Sequence, residues 1–246
     1  MAQSGTAFSG PRVMVTGTDT DVGKTFVSAA LLKVWQGLGI NVGAYKPAAS
    51  GCEFNSVGQP VWNDVEVLYE ALGQRFPRER VCPQSFSAPL APPFAAEVEQ
   101  RLIDDRLLIE GASWWESQVD LLLVEGAGGL LSPLSSTGSN ADLASELDLP
   151  LIIVARLGLG TINHTLLTVE AAERRGLQIL GIVLNDGQGG EKDESRHSNP
   201  RHLAARCKPP ILAVLPHLLC SDDLLEYQPF LKMAEHLRSR LFETHP

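Results

Sequence analysis

The chain has 246 residues, of which 44% are hydrophobic and 20% are charged. A chain of this length and apolar content can bury a sizeable core, which favours a folded domain over a disordered one. Lys and Arg number 20 against 29 Asp and Glu, so the formal net charge is -9. This acidic balance argues against nonspecific binding to nucleic acid or to anionic membranes. An anionic ligand must therefore find a local positive site.

Neither a disulfide framework nor a membrane span is indicated by the sequence. The four cysteines form no C-x-x-C pair and have no zinc-site spacing, which favours a reducing, cytoplasmic location. The most apolar stretch, residues 147–155, is well short of the ~18 residues that a membrane span needs. Residues 1–11 lack a basic start followed by an apolar block, so we expect a flexible terminus and not a signal peptide.

Short apolar runs alternate with segments of helical periodicity. Continuous apolar runs without polar alternation are typical of strands that are covered on both faces. Alternating strands and helices predict an α/β fold in three layers, with a mostly parallel sheet flanked by helices on both faces. In chain order, the predicted elements are a strand at 13–15, a helix at 26–35, strands at 42–45, 121–124 and 151–155, a helix at 162–174, strands at 179–184 and 211–215, and a helix at 224–241.

We expect one domain over residues 1–246, because no repeat, low-complexity block or linker divides the chain. Two stretches look irregular: 75–93, which contains five prolines, and 186–200, which is rich in Gly, charge and His. Long irregular stretches in compact domains are usually functional or mobile. The first stretch lies where a substrate lid is expected, and the second is interpreted as a flexible insertion.

The strongest motif follows the first predicted strand and reads GTDTDVGKT over residues 17–25. A small-residue turn between a strand and an amphipathic helix is the setting of a phosphate-binding loop. Backbone N–H groups at the helix start hold phosphates, Lys24 adds a full positive charge, and the Thr25 hydroxyl can reach Mg²⁺. The usual spacing G-x-x-x-x-G-K-[ST] is missed by one residue, because Thr18 stands where the first glycine is expected.

Polar residues follow other predicted strands, at the edge where a parallel sheet of this kind binds its ligands. Lys46 follows the strand at 42–45, although a solvated surface lysine is an equal alternative. Glu125 follows the strand at 121–124, where a nucleotide-hydrolysing site keeps its magnesium carboxylate. Asp64 is either a site residue or the cap of a helix at 64–72.

Two further polar positions have simpler interpretations. Asn185, Asp186 and Gly187 end the strand at 179–184, and this composition is also that of an ordinary turn. His164 lies near a predicted helix start, and we expect it to face its own core and not to act as a general base.

Five segments, in matching order and spacing, resemble the dethiobiotin synthetase family over about residues 12–218. The segments are VTGTDTDVGKT (15–25), YKPAASG (45–51), VEGAGG (124–129), GLGTINH (158–164) and LND (184–186). The resemblance implies a P-loop fold, ATP as co-substrate, Mg²⁺, a homodimer, and small-molecule substrates in place of nucleic acid or membrane. It implies the closure of a ring from 7,8-diaminopelargonic acid, CO₂ and ATP, which gives dethiobiotin, ADP and phosphate through a carbamate and its mixed anhydride with phosphate.

The resemblance also implies residue roles. Lys24 and Lys46 are the expected catalytic pair, and Thr25, Asp64 and Glu125 are the expected magnesium ligands. The substrate is expected to contact Thr20 and Ser50 and, from the opposite subunit of the dimer, Thr161, Ile162 and Asn163. The expected nucleotide contacts, with the adenine near residues 185 and 186 and a looser match at 216–218, are Asp21, Val22, Gly23, Lys24, Thr25, Phe26, Asp64, Glu125, Gly126, Ala127, Gly128, Asn185, Asp186, Pro216, His217 and Leu218.

The chain departs from the family pattern in two places. Beyond Leu218 it has no clear counterpart to the family's final nucleotide contact, for which Asp222 and Asp223 are candidates. The loop at 187–200 is also long, which leaves open how the nucleotide site closes.

The alternative interpretation is a dimeric regulatory P-loop ATPase of the partitioning or cell-division type. Such proteins carry an extra lysine early in the phosphate loop, whereas Thr18, Asp19 and Thr20 occupy that region here. Their membrane-binding relatives end in a basic amphipathic helix, but the mixed charges of residues 224–241 favour a helix packed on its own core. A third candidate, an ATP-dependent amidation enzyme of corrinoid synthesis, usually adds a glutaminase domain, and we expect none after Pro246.

Overall fold

The computed structural model describes residues 10–187, 193–218 and 220–243, without the side chain of Ser221. The prediction of a flexible terminus therefore lies outside the described residues, except for positions 10 and 11. The elements of the described ranges, in chain order, are β1 (Arg12–Gly17), α1 (Lys24–Gly37), β2 (Val42–Tyr45), β3 (Ala49–Ser50), β4 (Glu53–Phe54), β5 (Pro60–Val61), α2 (Asn63–Ala71), α3 (Arg78–Val81), β6 (Ser85–Phe86), α4 (Pro92–Val98), α5 (Asp105–Ser113), a 3-10 turn (Trp114–Ser117), β7 (Leu121–Gly129), α6 (Asn140–Glu146), β8 (Leu151–Arg156), α7 (Thr161–Arg174), β9 (Ile179–Asn185), α8 (Ser195–Ala204), β10 (Ile211–Leu215), a second 3-10 turn (Ser221–Leu225) and α9 (Gln228–Glu243).

A six-stranded sheet in the order β10-β9-β8-β1-β7-β2 forms the centre of the molecule. All five of its neighbouring pairs are parallel. Met14 of β1, for example, is aligned with Val124 of β7 on one side and with Leu151 of β8 on the other. The six predicted apolar runs are the six strands of this sheet, which confirms the predicted fold class.

Helices cover both faces of the sheet because successive side chains of a strand point to opposite faces. Ile152 of β8 packs in the larger core cluster, which includes residues of α1 and α9. Its neighbour Ile153 packs in a second cluster with Val169 of α7 and Leu203 of α8. The three predicted layers are therefore helices, sheet and helices.

The predicted helix at 224–241 is wrong at its beginning. Residues 221–225 form a 3-10 turn, and α9 begins only at Gln228. Pro229 explains the break, because it has no N–H to donate to the carbonyl of Leu225, and because a residue that precedes proline is disfavoured in the helical conformation.

The two stretches that we expected to be irregular contain regular structure. Residues 75–93 include α3, β6 and the first residues of α4. Residues 195–204 form α8, with Pro200 inside it. The expectation of an irregular stretch is therefore wrong for 195–200, whereas residues 188–192 lie outside the described ranges. The apolar pattern missed α8 because Leu203 is its buried apolar residue and the other buried position is Asn199.

Candidate nucleotide and metal site

The loop between β1 and α1 wraps around the side chain of Lys24. Lys24 is 93% buried, and its ammonium donates to the carbonyl oxygen of Asp19 over 3.0 Å. Gly23 has a φ of 96°, a left-handed conformation that glycine adopts without strain. A Cβ at position 23 would also lie 2.1 Å from Nδ2 of Asn185. The loop therefore has the shape of a phosphate cradle at the start of α1.

Asn185, at the end of β9, supports the phosphate loop directly. It is buried, and its Nδ2 donates to the carbonyl oxygen of Val22 over 3.0 Å. An ordinary turn at residues 185–187 does not account for this contact of Asn185 with the phosphate loop. The contact of Asn185 with adenine stays a prediction.

Lys46, Glu125, Asp64 and Thr25 meet in one cluster beside the phosphate loop. Nζ of Lys46 lies 2.8 Å from Oε1 of Glu125 and 2.9 Å from Oδ2 of Asp64. The Thr25 hydroxyl donates to the same Glu125 oxygen over 2.7 Å. Lys46 is 98% buried, so the alternative of a surface lysine is wrong. Asp64 belongs to the cluster and does not cap α2, whose N-cap position is Trp62.

The electrostatics of the cluster follow from burial and opposite charge. Burial alone would lower the pKa of Lys46, but the carboxylates of Glu125 and Asp64 outweigh it and hold that pKa above its ordinary value. The ammonium of Lys46 in turn lowers the pKa of Asp64. Burial, followed by the charge of Lys46, lowers the pKa of Lys24. Lys46 is therefore a fixed positive charge at neutral pH.

The residues predicted to bind magnesium fit that ion. Oε2 of Glu125 is buried and has no hydrogen-bond partner, and a buried carboxylate oxygen left in that state is costly. The Thr25 hydroxyl and the half-exposed carboxylate of Asp64 lie in the same cluster. Within the described ranges no group of three His, Cys, Asp or Glu side chains could hold a metal alone. Mg²⁺ is usually held by one or two carboxylates together with waters and substrate phosphates, and Glu125 and Asp64 are two carboxylates of this kind.

A cavity of about 610 Å³ opens beside this cluster. Thr20 and Ser50 are among the residues that line it, and their contact with the substrate stays a prediction. Residues 89–92, which lie in the stretch expected to be irregular and were not predicted as site residues, also line the cavity. Its lining residues are Thr20, Asp21, Gly23, Lys24, Thr25, Phe26, Lys46, Ala49, Ser50, Asp64, Pro89, Leu90, Ala91, Pro92, Ala127, Gly128 and Ser132.

Asn140, which the sequence analysis missed, holds the end of β7 in place. Its Nδ2 donates to the carbonyl oxygens of Ala127 and Gly129, both over 2.8 Å, and its Oδ1 accepts from the N–H of Ala127. Gly126 is required beside it, because a Cβ there would lie 2.8 Å from Oδ1 of Asn140. A buried asparagine at a helix start has no periodic signal, so the sequence alone does not reveal this contact.

The residues expected around the adenine lie at the ends of β9 and β10, outside the lining of the cavity. Asp186 forms an ion pair with Arg196 over 2.6 Å, and its carbonyl oxygen lies 3.1 Å from Nδ1 of His217. Pro216 is exposed, and Leu218 packs partly against the core. The candidates for the final contact have structural partners, since Asp222 pairs with Lys33 and Asp223 accepts from the N–H of Cys220.

The residues expected to bind a substrate from the opposite subunit begin α7. Thr161 is buried, whereas Asn163 is exposed, and none of the residues 161–163 lines the cavity of the described subunit. Gly160 precedes them with a φ of 91°. His164 is only partly buried, and its Nδ1 lies 3.2 Å from a guanidinium nitrogen of Arg156, so the expectation that it faces the core is wrong.

A parallel sheet with a phosphate loop after β1, a buried acidic residue on the neighbouring strand and a threonine at the helix start define a P-loop nucleotide-binding protein. The AAA domain family model matches residues 11–223. ATP-dependent dethiobiotin synthetase BioD of Anaeromyxobacter dehalogenans (strain 2CP-C) is 47% identical over 83% of this chain and 89% of its own length. The protein of the same name from Bacillus subtilis (strain 168) is 38% identical over 83% and 86%. The chain belongs to the dethiobiotin synthetase family, whose members are ATP-dependent ligases of biotin biosynthesis.

Solved structures of lower identity share the fold. The cell division protein MinD of Aquifex aeolicus superposes with a TM-score of 0.55 at 15% identity, over 93% of this chain and 97% of that one. MinD of Pyrococcus horikoshii, complexed with Mg-ADP, gives a TM-score of 0.54 at 20% identity, over 92% and 96%. In the ranges that the structure describes, the helices are too short or too polar to cross a membrane.

Proposed function

We propose that this protein uses ATP and Mg²⁺ to close a ring from 7,8-diaminopelargonic acid and CO₂, which gives dethiobiotin, ADP and phosphate. The observation that carries the proposal is the position of Lys46. Its charge is held between Glu125 and Asp64, beside the phosphate loop and at the wall of a cavity that also contains Ser50. The membership of the chain in its family supports the same reaction.

The chemistry proceeds in three steps. One amine of the substrate adds to CO₂ and loses a proton, which gives a carbamate. A carbamate oxygen then takes the γ-phosphoryl group of ATP, and ADP leaves. The second amine attacks the carbonyl carbon of this mixed anhydride, the C–O bond to phosphate breaks, and a five-membered urea ring forms with release of phosphate and a proton.

Lys24 and Lys46 are the proposed catalytic residues, because both phosphoryl transfer and ring closure spread negative charge over phosphate oxygens. Charges that are fixed before the reaction stabilise that transition state without reorganisation, which is usually the largest catalytic contribution. Two lysines close to a substrate amine also disfavour its ammonium form, because like charges repel. The amine is thereby kept in its nucleophilic state.

The proposed magnesium ligands are Thr25, Asp64 and Glu125. When bound, Mg²⁺ supplies positive charge to the phosphate oxygens of ATP. The residues themselves do the positioning, since Glu125 is fixed by Lys46 and by the Thr25 hydroxyl. Residues 21–26 and 126–128 lie along the proposed path of the triphosphate.

We further propose a homodimer in which residues 161–163 of one subunit bind the carboxylate of the diamine held by the other. The start of α7 offers backbone N–H groups for an anion, in keeping with helix N-termini in general. The proposed place of the adenine is beside Asn185, Asp186 and residues 216–218. The protein is proposed to act in the cytoplasm.

A regulatory ATPase of the partitioning type is a weaker candidate. The similarity to MinD concerns the fold alone, and the early part of the phosphate loop is without lysine.

The test is to incubate the purified protein with ATP, Mg²⁺, bicarbonate and 7,8-diaminopelargonic acid, and to follow ADP and dethiobiotin by mass spectrometry. The proposal requires that both products appear in equal amounts and only when the diamine is present. ATP hydrolysis at the same rate without the diamine would instead point to the regulatory ATPase.

A further inference from the structure

Helix α8 contacts two loops that follow neighbouring strands of the sheet. One is the turn 157–160, which leaves β8 and starts α7. The other begins at Asp186, directly after β9. The two loops are already linked by the N–H of Leu157, which donates to the carbonyl oxygen of Asn185 over 2.9 Å. Helix α8 is attached to both loops by three polar residues. Asp193 lies two residues before the helix, and Arg196 and Asn199 lie within it.

Asn199 holds the turn through its side-chain amide. Its Nδ2 donates to the carbonyl oxygens of Leu157 over 2.8 Å and Gly158 over 3.1 Å. The residue is 96% buried, and buried polar groups are retained where their hydrogen bonds are made. A side chain that lacks N–H donors would remove the hydrogen bond to the carbonyl oxygen of Leu157 and leave that of Gly158 with the N–H of Thr161.

Asp193 holds the next residue of the same turn. Its Oδ2 accepts from the N–H of Leu159 over 2.9 Å, and its Oδ1 accepts from the N–H and the hydroxyl of Ser195. The hydrogen bonds from Ser195 and then from Leu159 lower the pKa of Asp193. A Cβ at position 158 would lie 2.9 Å from Oδ2 of Asp193, so a larger residue there would displace this carboxylate.

Arg196 joins the turn to the loop after β9. Its Nη1 lies 2.6 Å from Oδ1 of Asp186, and its Nε lies 3.8 Å from Oδ2 of Asp193. The side chains of Arg196 and Asp186 are only 16% and 17% exposed, so solvent screens this pair less than a surface pair. The guanidinium therefore connects Asp186 to Asp193, and Asp193 in turn accepts from the N–H of Leu159 in the turn 157–160.

We propose that Asn199, Asp193 and Arg196 are positioning residues that set the geometry of the turn at the start of α7, and that Arg196 links this turn to the nucleotide side of the site. This inference rests on the proposed function, in which the start of α7 binds the substrate carboxylate and Asp186 lies near the adenine. Because helix N–H groups bind an anion only along their own direction, a small rotation of the turn weakens carboxylate binding.

The test compares the acid substrate with an analogue that has no carboxylate. The substrates are 7,8-diaminopelargonic acid and nonane-2,3-diamine, which keeps the two amines and the alkyl chain. The variants are Asn199→Asp, which keeps the shape but removes the N–H donors, Arg196→Met and Arg196→Lys. The matched control is Arg201→Met, at an exposed position of the same helix. Thermal melts and far-UV circular dichroism establish that each variant is folded.

We expect Asn199→Asp to raise the KM for the acid about ten-fold or more, with kcat and the KM for ATP nearly unchanged, since misplaced binding groups act on affinity first. The kinetics of the carboxylate-free diamine should stay the same. Arg196→Met should raise the KM values of both the acid and ATP, and Arg196→Lys should restore part of the loss. Arg201→Met should match the wild type.

The proposal is overturned if Asn199→Asp and Arg196→Met are folded and keep wild-type KM values, or if they impair both diamines equally, which is the pattern of a merely structural role. If Asn199→Asp does not fold, the partly exposed Arg196 carries the test alone. A wild-type protein that makes no dethiobiotin contradicts the proposed function. If the wild-type protein makes dethiobiotin and the variants prefer the acid over the carboxylate-free diamine as strongly as the wild type does, only this inference is contradicted.

Discussion

Nζ of Lys46 lies 2.8 Å from Oε1 of Glu125, and the two side chains are 3% and 0% exposed. A charge pair of this kind has lost almost all of its hydration, so each partner depends on the other. Lys46 thus has two roles. It neutralises Glu125 in the folded state, and it stabilises negative charge in the proposed reaction. The two roles are separable by mutation.

Lys46→Ala is expected to lower turnover by about 100-fold or more, the scale seen when one charge-stabilising donor is removed. It should also lower the free energy of unfolding by about 3–5 kcal/mol, because Glu125 is left as an uncompensated buried charge. The double variant Lys46→Met with Glu125→Gln should recover most of the stability without recovering activity. Urea unfolding and dethiobiotin formation measure the two effects, and recovery of both together would mean that Lys46 has a structural role only.

Thr25→Val should raise the magnesium concentration needed for half-maximal activity, because it removes a proposed ligand and the hydrogen bond that fixes Glu125. Ser28→Ala is the matched control, since this buried hydroxyl lies one turn further along α1. A magnesium titration of both variants decides the point. Identical curves for Thr25→Val and the wild type would place the metal elsewhere.

Gly23→Ala should abolish ATP binding. The new Cβ would require a strained φ and would collide with the amide of Asn185 at 2.1 Å. Gly37→Ala, at the end of the same helix, adds a Cβ with nothing within 4 Å and should be neutral or slightly stabilising. Isothermal titration with a non-hydrolysable ATP analogue compares the two, and normal binding by Gly23→Ala would show that the loop has another conformation in solution.

Asp142→Asn should cost stability in a pH-dependent way. The hydroxyl and then the N–H of Ser139 lower the pKa of Asp142 below its ordinary 3.8, so this contribution is complete above pH 3.8 and is lost as the pH falls below it. The capping box at the start of α6 is worth about 0.5–1 kcal/mol. Denaturant unfolding of both proteins at pH 7 and pH 3 should show a difference that shrinks in acid. A difference that is constant with pH would contradict this account.

The proposed sharing of sites across a dimer predicts complementation. Lys46→Ala removes a catalytic charge, whereas Gly160→Val strains the start of α7, where φ is 91°. Each variant alone should be nearly inactive. After unfolding and refolding as a 1:1 mixture, about a quarter of wild-type activity should return, because half of the dimers then have one intact site. A mixture as inactive as its parts would exclude the shared site.

The sheet could be predicted from the sequence because strands buried on both faces leave continuous apolar runs. The phosphate loop could be predicted because its spacing is local. The contact of Lys46 with Glu125 joins residues 79 positions apart. The sequence indicated that both residue types suit the site, but it did not give the distance between them. Their proximity could be expected only because both follow strands at the same edge of a parallel sheet.

The features that escaped prediction are those that depend on polar contacts. Helix α8 is attached largely through Asn199 and its neighbours and therefore lacks an apolar stripe. Asn140 acts on backbone carbonyls eleven and thirteen residues away, which no periodicity reveals. The break before α9 was visible in Pro229, but the apolar spacing around it suggested a longer helix.

The placement of β1 between β7 and β8 has a consequence for nucleotide binding. The strand that leads into the phosphate loop is hydrogen-bonded on both sides at the middle of the sheet, and such strands exchange their amide hydrogens only when the whole domain unfolds. The strand that leads into the cradle is therefore ordered before ATP arrives, and binding energy is not consumed in ordering that strand. A ligand that binds only the native state stabilises the whole domain. Nucleotide should therefore slow amide hydrogen exchange by the same factor throughout the core, and not in the phosphate loop alone.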